Sequence, residues 1–338
     1  MSTMAVSNAN WIERFDENAV YDEVQSWFAR DALRAALGDT KTETERIALD
    51  WLARAGKRFR PFLATCMFLA FRQDAVSPLP EVIRSVSLAV ECIHKASLIY
   101  DDIQDNDAIR YGEPTVHRVH GVPVALTASL LLLGHGYRLI AECDAPGEQR
   151  AEMLALATRG HCSLCLGQGE ELLWMRRAVP LTPRQVLEIF RHKTATSFEV
   201  VFRLPAVCAA AGPEVHEALR RYSAHAGTAY QVQDDLEDFH GRGDVDDVRA
   251  RRLSIVLAVA YERAEGAARE LIRDAWCGEG RVPLEEVRRV IDAVGAEQGA
   301  RDILGRCKRS ALDALRPLGN VGLKVLLCRV TDMILPGA

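Results

Sequence analysis

A disulfide-type cysteine pattern, long apolar runs and a strong excess of either charge are all missing from this 338-residue chain, and each absence closes off a class of protein. No apolar run reaches the roughly 20 uninterrupted residues of a membrane-spanning helix. The nearest, "VPVALTASLLLLGHG" at 122–136, has its apolar run ended too early by Gly134, His135 and Gly136, so no transmembrane segment is read. The opening "MSTMAVSNANWIERFDENAV" lacks a basic start followed by an apolar stretch. No secretory signal is read there, and a cytoplasmic setting is expected. A net charge of −5 argues against a protein built to coat nucleic acid. The nine cysteines are an odd number and lie mostly in apolar segments such as "LATCMFLA", "AVECIHKA" and "LPAVCAAA". That is a pattern of buried reduced thiols, not of a disulfide framework. Cys162 and Cys165 have the spacing of a redox or zinc pair, but no second pair follows. Their i, i+3 spacing suits one helix face, and they too are read as core thiols.

Also missing are a Pro/Gly-rich linker, a low-complexity tract, an internal repeat and a hairpin dipeptide between alternating strands. What remains is helical periodicity. "YDEVQSWFARDALRAAL", "PEVIRSVSLAVECIHKASLIYDDI", "RAEMLALATRGHCSLCLGQGEELLW" and "PRQVLEIFRHKTATSFEVVFRLPAVCAAA" carry apolar residues at three- and four-residue steps over lengths that strands do not reach. "TPRQ", "GPEVHEAL" and "VPLEEVRRV" place proline early with acids following, as helix starts do. Intervening breaks, such as "FRQDAVSPLP", "RYGEPTVHRVHG" and "FHGRGDVDDVRARR", have the length of helix connections. With 49% apolar residues the chain fills a sizeable core. The expectation is one all-α domain over residues 1–338, its first ~20 residues an arm.

Against that background "SLIYDDIQDNDAIRYG", residues 97–112, needs explaining. Asp101 and Asp105 are one helical turn apart and share a face, and Asp102 lies about 100° round. Carboxylates at a helix C-terminus meet the negative end of its dipole. A hard divalent cation resolves the conflict, and Mg²⁺ typically joins one or two carboxylates to substrate phosphates. Taken alone, one such motif reads better as a solvated acidic helix end. "AYQVQDDLEDFHG" repeats the spacing with Asp234, Asp235 and Asp238, so two acidic helices facing one another across a bundle are expected. Neither segment has the loop of an EF-hand, and no Glu-x-x-His pairs point to a di-iron bundle. The basic counterpart is Lys57, Arg58 and Arg60 in "RAGKRFRPF", Lys193 and Thr194 in "RHKTATSF", and Arg110. Together they describe a diphosphate held by Mg²⁺ on one side and by Lys and Arg on the other.

From about Trp51 to beyond Leu257 these segments resemble, in consistent order, the trans-isoprenyl diphosphate synthases (the polyprenyl synthetase family), and geranylgeranyl diphosphate synthases most of all. The segments are "GKRFRP", "IHKASLIYDDIQDNDAIRYGEPTVH", "GQGEELLW", "HKT" and "YQVQDDLED". The resemblance implies antiparallel helices around a deep central cavity, a homodimer, and up to three Mg²⁺ on Asp101, Asp102, Asp105, Asp234, Asp235 and Asp238. Some of these six would touch metal only through water. It implies that Arg110, Lys193, Thr194 and Gln231 contact an allylic diphosphate (dimethylallyl, geranyl or farnesyl). Lys57, Arg60 and His94 would bind isopentenyl diphosphate, and Arg242 and Arg252 would stand in for the lysines of the family's loop after Asp238. His94 taken alone reads as a hydrogen-bonded core histidine. Asp101, Asp102, Asp105, Lys193 and Asp234 are the expected catalytic set. Such chemistry needs no side-chain nucleophile, which fits the absence of a Ser/His/Asp signature. Ala96 and Ser97, the fifth and fourth residues before Asp101, would set product length, and their small size implies a C20 product. Three departures stand out: Tyr111 where the family has a second arginine, the short loop after Asp238 with its arginines, and Lys95 beside His94. Two other readings carry the same motifs, a terpene cyclase of the same fold and a non-catalytic partner subunit of a prenyl synthase.

Overall fold

The computed structural model describes residues 16–54, 56–73, 78–239, 252–278 and 282–336. Most of the expected arm (residues 1–15) and Arg242 lie outside them. The described chain is all-α apart from one pair of two-residue strands. It gathers into two compact units, the first built from residues 1–157, 200–213 and 319–326, the second from 158–199, 214–318 and 327–338.

The first unit opens with α1 (Glu17–Ser26), α2 (Arg30–Leu37), α3 (Glu43–Ala53) and α4 (Phe59–Arg72). The periodic run at 21–37 is therefore two helices. Trp27 and Phe28 are adjacent and both buried, and a continuous helix would set them about 100° apart. A break at the pair turns both inward. Next come α5 (Glu81–Gln104), β1 (Ile109–Arg110), β2 (Glu113–Pro114), α6 (Val116–His120) and α7 (Val122–Glu142). α5 packs on α7 and α4, and α3 lies against α7. α7 runs on through Gly134 and Gly136 to Glu142. A β-carbon at Gly136 would come 2.8 Å from Ile93 and 3.2 Å from the Ala89 carbonyl. This glycine serves the close approach of α5, and the helix continues past it. At 21 residues α7 is the one described helix long and apolar enough to cross a membrane, and part of that length is buried against α5.

The second unit takes in the later part of α8 (Gly147–Arg176), then α9 (Pro183–Phe190), a π-helical turn (Arg191–Ala195), the start of α10 (Thr196–Cys208) and most of α11 (Pro213–Phe239). α12 (Ile255–Arg263), α13 (Gly266–Cys277), α14 (Leu284–Ala293), α15 (Ala296–Ala314) and the end of α16 (Val321–Ile334) complete it. Six consecutive residues of α12, Ile255 to Ala260, are buried, and α9, α13, α14 and α15 surround it. The expected helix starts hold: Thr182 and Gln185 form a capping box ahead of Pro183, and Glu285 and Glu286 follow Pro283. Every cysteine is free. Cys66, Cys92 and Cys143 are buried, but Cys162 and Cys165 are exposed, a correction to their reading as core thiols. Apolar residues sit all round α8, so spacing alone does not say which face turns inward.

Candidate active site

In the first unit the segment at 56–61 divides its basic residues by direction. Arg58 is in the left-handed region (φ +45°), which turns its side chain into the protein while Lys57 stays exposed. The Arg58 guanidinium donates to Glu91 at 2.7 Å and to the carbonyls of Leu52 (2.8 Å) and Arg54 (2.7 Å). It also lies over the Phe28 ring. Arg60, two residues on, reaches His94 of α5 with Nη1 3.0 Å from Nε2. Arginine only donates, so Nε2 accepts and the ring proton sits on Nδ1. Burial first, then the Arg60 charge, holds the His94 pKa well below its ordinary value. His94 is a neutral acceptor that orients Arg60.

The first acidic group closes α5. The Asp105 N–H donates to the Asp101 carbonyl at 2.8 Å, which puts these two residues one turn apart as expected. Asp102 points inward and is only 1% exposed. Its Oδ1 accepts from Arg110 Nε, and Arg110 Nη2 reaches Asp107 at 3.2 Å. Oδ2 of Asp102 is buried without a partner, as are both ring nitrogens of His117. Burial raises the Asp102 pKa against the pull of Arg110. Ala96 is buried, and its carbonyl accepts the Ser129 hydroxyl of α7 at 2.8 Å. The Ser97 hydroxyl folds back on the His94 carbonyl.

The second unit repeats this division of labour. Asp234 and Asp238, one turn apart near the end of α11, are exposed, while Asp235 is 5% exposed. Asp235 Oδ2 accepts the Ile255 N–H at 2.8 Å and the Ser254 hydroxyl at 3.3 Å. A carboxylate there satisfies an otherwise orphan amide and meets the positive end of the α12 dipole. The Asp234 pKa is raised by desolvation and then by Asp238 and Glu237, with Lys193 pulling the other way. Lys193 is paired with Glu171 at 2.5 Å. Thr194 donates to Gln231 Oε1 at 2.6 Å, which turns the Gln231 amide toward Asp234 Oδ2 at 3.4 Å. Lys193, Thr194, Gln231 and Asp234 are thus brought together. Arg252 is exposed, and its carbonyl accepts the Trp276 indole N–H at 3.1 Å.

Lys193 and Thr194 lie on the π-helical turn, a local irregularity that recurs at functional sites. Two glycines make room for it. A β-carbon at Gly167 of α8 would stand 2.5 Å from the Lys193 nitrogen, and one at Gly227 of α11 would stand 2.4 Å from Ala195 Cα. Gly227→Ala is expected to destabilise the protein by about 1–3 kcal/mol through overpacking and to move Lys193 off its aim. Thermal melts and turnover, measured together, check both effects.

Sequence reasoning did not assign a role to Glu171, Glu91, Trp51 or the π turn. Glu171 stood inside "GQGEELLW", but no pattern tied it to Lys193. Among the described residues no three His, Cys, Asp or Glu side chains stand together closely enough to hold a metal by themselves. An all-carboxylate donor set fits a hard cation that completes its shell with water and substrate oxygens.

A family model, polyprenyl synthetase, matches residues 41–294. The short chain isoprenyl diphosphate synthase of Methanothermobacter thermautotrophicus is 28% identical over 318 residues, 92% of this chain and 95% of that one. The geranylgeranyl diphosphate synthase of Pseudescherichia vulneris is 37% identical over 190 residues, 55% of this chain and 60% of that one. The solved geranylgeranyl pyrophosphate synthetase of Pyrococcus horikoshii superposes with a TM-score of 0.80 at 23% identity, covering 95% of this chain and 99% of that chain, a likeness of fold. Other relatives are named as farnesyl and nonaprenyl diphosphate synthases, so the likeness carries no single product length.

Proposed function

The chain belongs to the polyprenyl synthetase family, and from that premise we propose that it is a magnesium-dependent prenyltransferase. It condenses isopentenyl diphosphate with an allylic prenyl diphosphate and releases geranylgeranyl diphosphate. The observation that carries this reading is the common build of the two acidic motifs. In each, the first and fourth-following aspartates share one face, and the aspartate between them is buried and held by its own unit.

Asp101 and Asp105, and Asp234 and Asp238, would hold the magnesium, with Asp102 and Asp235 bracing the helix ends that carry them. Magnesium, when bound, supplies neutralisation of the allylic diphosphate as it becomes a leaving group. The chain's own residues do the rest. Lys193, aimed by Glu171, adds a cation to the allylic diphosphate, and the Thr194–Gln231 pair offers it polar contacts. Arg110, tied to Asp102 and Asp107, braces the first motif and would contact the allylic diphosphate. Lys57 and Arg60 take the diphosphate of isopentenyl diphosphate, with His94 fixing Arg60. The C–O bond of the allylic substrate breaks, and the isopentenyl double bond attacks the allylic carbon from a near-attack pose. A proton then leaves to the departing diphosphate. The small Ala96 and Ser97 support the C20 product, and the same reading has the enzyme working as a cytoplasmic homodimer.

Incubation with farnesyl and isopentenyl diphosphates, followed by mass analysis, is expected to give a C20 diphosphate, and exhaustive chelation is expected to abolish it. A C15 end point or a longer chain overturns the length assignment. A hydrocarbon or alcohol formed without isopentenyl diphosphate makes the protein a cyclase. Turnover surviving chelation removes magnesium from the account.

A further inference from the structure

Lys95, the residue after His94 on α5, is 0% exposed. Its ammonium sits 4.8 Å from the centre of the Trp51 ring and 4.2 Å from that of Tyr111. Among the described residues its one hydrogen bond is a long donation, 3.5 Å, to the Arg54 carbonyl. Among the described residues no carboxylate pairs with it, because Glu91, the acid that bears on it, is taken by Arg58. Arg54, Arg58 and Arg110 add positive charge around it, and burial followed by Arg58 brings its pKa down to about 8. An ammonium enclosed by rings and lacking a counter-charge is an expensive thing to keep. Two aromatic faces offset part of that cost.

The enclosure is itself strained. Tyr111 and Gly112 form the two-residue turn between β1 and β2, with φ of +56° and +78°. Turns with two positive φ values favour Asn, Asp and Gly at the first position, and a bulky tyrosine there is an outlier. The reward for holding it is the ring contact: Tyr111 lies 6.1 Å from Trp51, tilted by 36°, and closes over Lys95. Trp51 is fixed in turn by its indole N–H on the Lys95 carbonyl at 2.9 Å. Tyr111 is 46% exposed at the tip of a very short hairpin, so its ring can move without disturbing the core. Strain that persists at one exposed residue is a pointer to function.

Charge balance says what the ammonium is for. A prenyl diphosphate carries about three negative charges near neutral pH, and the proposed reading places magnesium on the allylic diphosphate. Lys57 and Arg60 supply two positive charges, and His94 is neutral. One charge is left over. We propose that Lys95 is a further diphosphate-binding residue of the isopentenyl diphosphate site and that Tyr111 is its lid, displaced from the ammonium by the arriving anion. This rests on the prenyl-elongating reading above.

Two substitutions and one probe test it. Lys95→Met keeps a flexible side chain that packs well between rings, and a thermal melt checks that it folds. It is expected to raise the KM for isopentenyl diphosphate at least tenfold and to leave the KM for the allylic substrate within twofold. Calorimetry with inorganic pyrophosphate and no metal is expected to show the same tenfold weakening. Tyr111→Leu removes the lid from an exposed turn and is expected to tighten pyrophosphate binding severalfold, since no ring has to be displaced. Unchanged pyrophosphate affinity in Lys95→Met overturns the binding role, as does an equal loss for both substrates. Unchanged affinity in Tyr111→Leu overturns the lid, and does so even where Lys95→Met does not fold. If the wild-type protein elongates no prenyl diphosphate, the functional reading fails separately, and the pyrophosphate titrations still decide whether Lys95 binds the anion.

Discussion

Asp101→Ala and Asp234→Ala are each expected to lower kcat by about a thousandfold or more, the scale seen when a group that stabilises developing charge is removed, with the melting temperature nearly unchanged. Both side chains stand where their loss opens no cavity. The Asp234 pKa is lifted by desolvation and then by Asp238 and Glu237, so its removal relieves repulsion within the folded chain. The neighbouring positions should behave in the opposite way. Asp235→Ala strips the acceptor from the buried Ile255 N–H and the Ser254 hydroxyl, a loss of about 1–3 kcal/mol, and α12 is the centre of its unit. Turnover and melting curves on the three variants therefore test whether Asp101 and Asp234 act in the reaction while Asp235 acts on the fold. An Asp101→Ala protein that retains wild-type turnover defeats the assignment.

The second large effect is on stability. Glu91→Ala leaves the Arg58 guanidinium buried with carbonyl acceptors and no counter-charge. Breaking a buried pair from one side costs about 3–5 kcal/mol, a large part of the roughly 5–15 kcal/mol that holds a protein folded. The denaturant midpoint is expected to fall accordingly. Arg58→Met added to Glu91→Ala is expected to recover much of the loss, because the two residues act as one unit. Lys57→Ala, at an exposed position, is expected to leave the midpoint where it was and to raise the KM for isopentenyl diphosphate. Such a result divides a single basic segment into one structural arginine and a binding lysine. Equal destabilisation by Lys57→Ala and Glu91→Ala contradicts that division.

Much of this was legible in the residues. Thr182, Pro213 and Pro283 announce helix starts that the chain obeys, because caps and proline act locally. The i, i+4 relation of each aspartate pair follows from helical geometry. Direction was the harder matter. Lys57, Arg58 and Arg60 are the same kind of residue, and only a left-handed backbone at Arg58 decides which one turns inward. The turn at Tyr111 gave no warning, since its strands are two residues long and the usual Asn-Gly or Asp-Gly is absent. Cys162 and Cys165 were misplaced because α8 carries apolar residues on every side. The oddities of Lys95 and Tyr111, separate in the sequence, are one contact in the fold.

The π turn at Arg191–Ala195 has a further meaning for how this enzyme tolerates change. One surplus residue there offsets the helical phase by about 100°. α9 can thus keep Val186 and Phe190 in the core of its unit while the next turn presents Lys193 and Thr194 along a different azimuth. The hydrophobic phasing of one segment is uncoupled from the angular setting of the other. Insertions and deletions at this spot rotate the basic pair like a dial, whereas substitutions in α9 leave the dial alone.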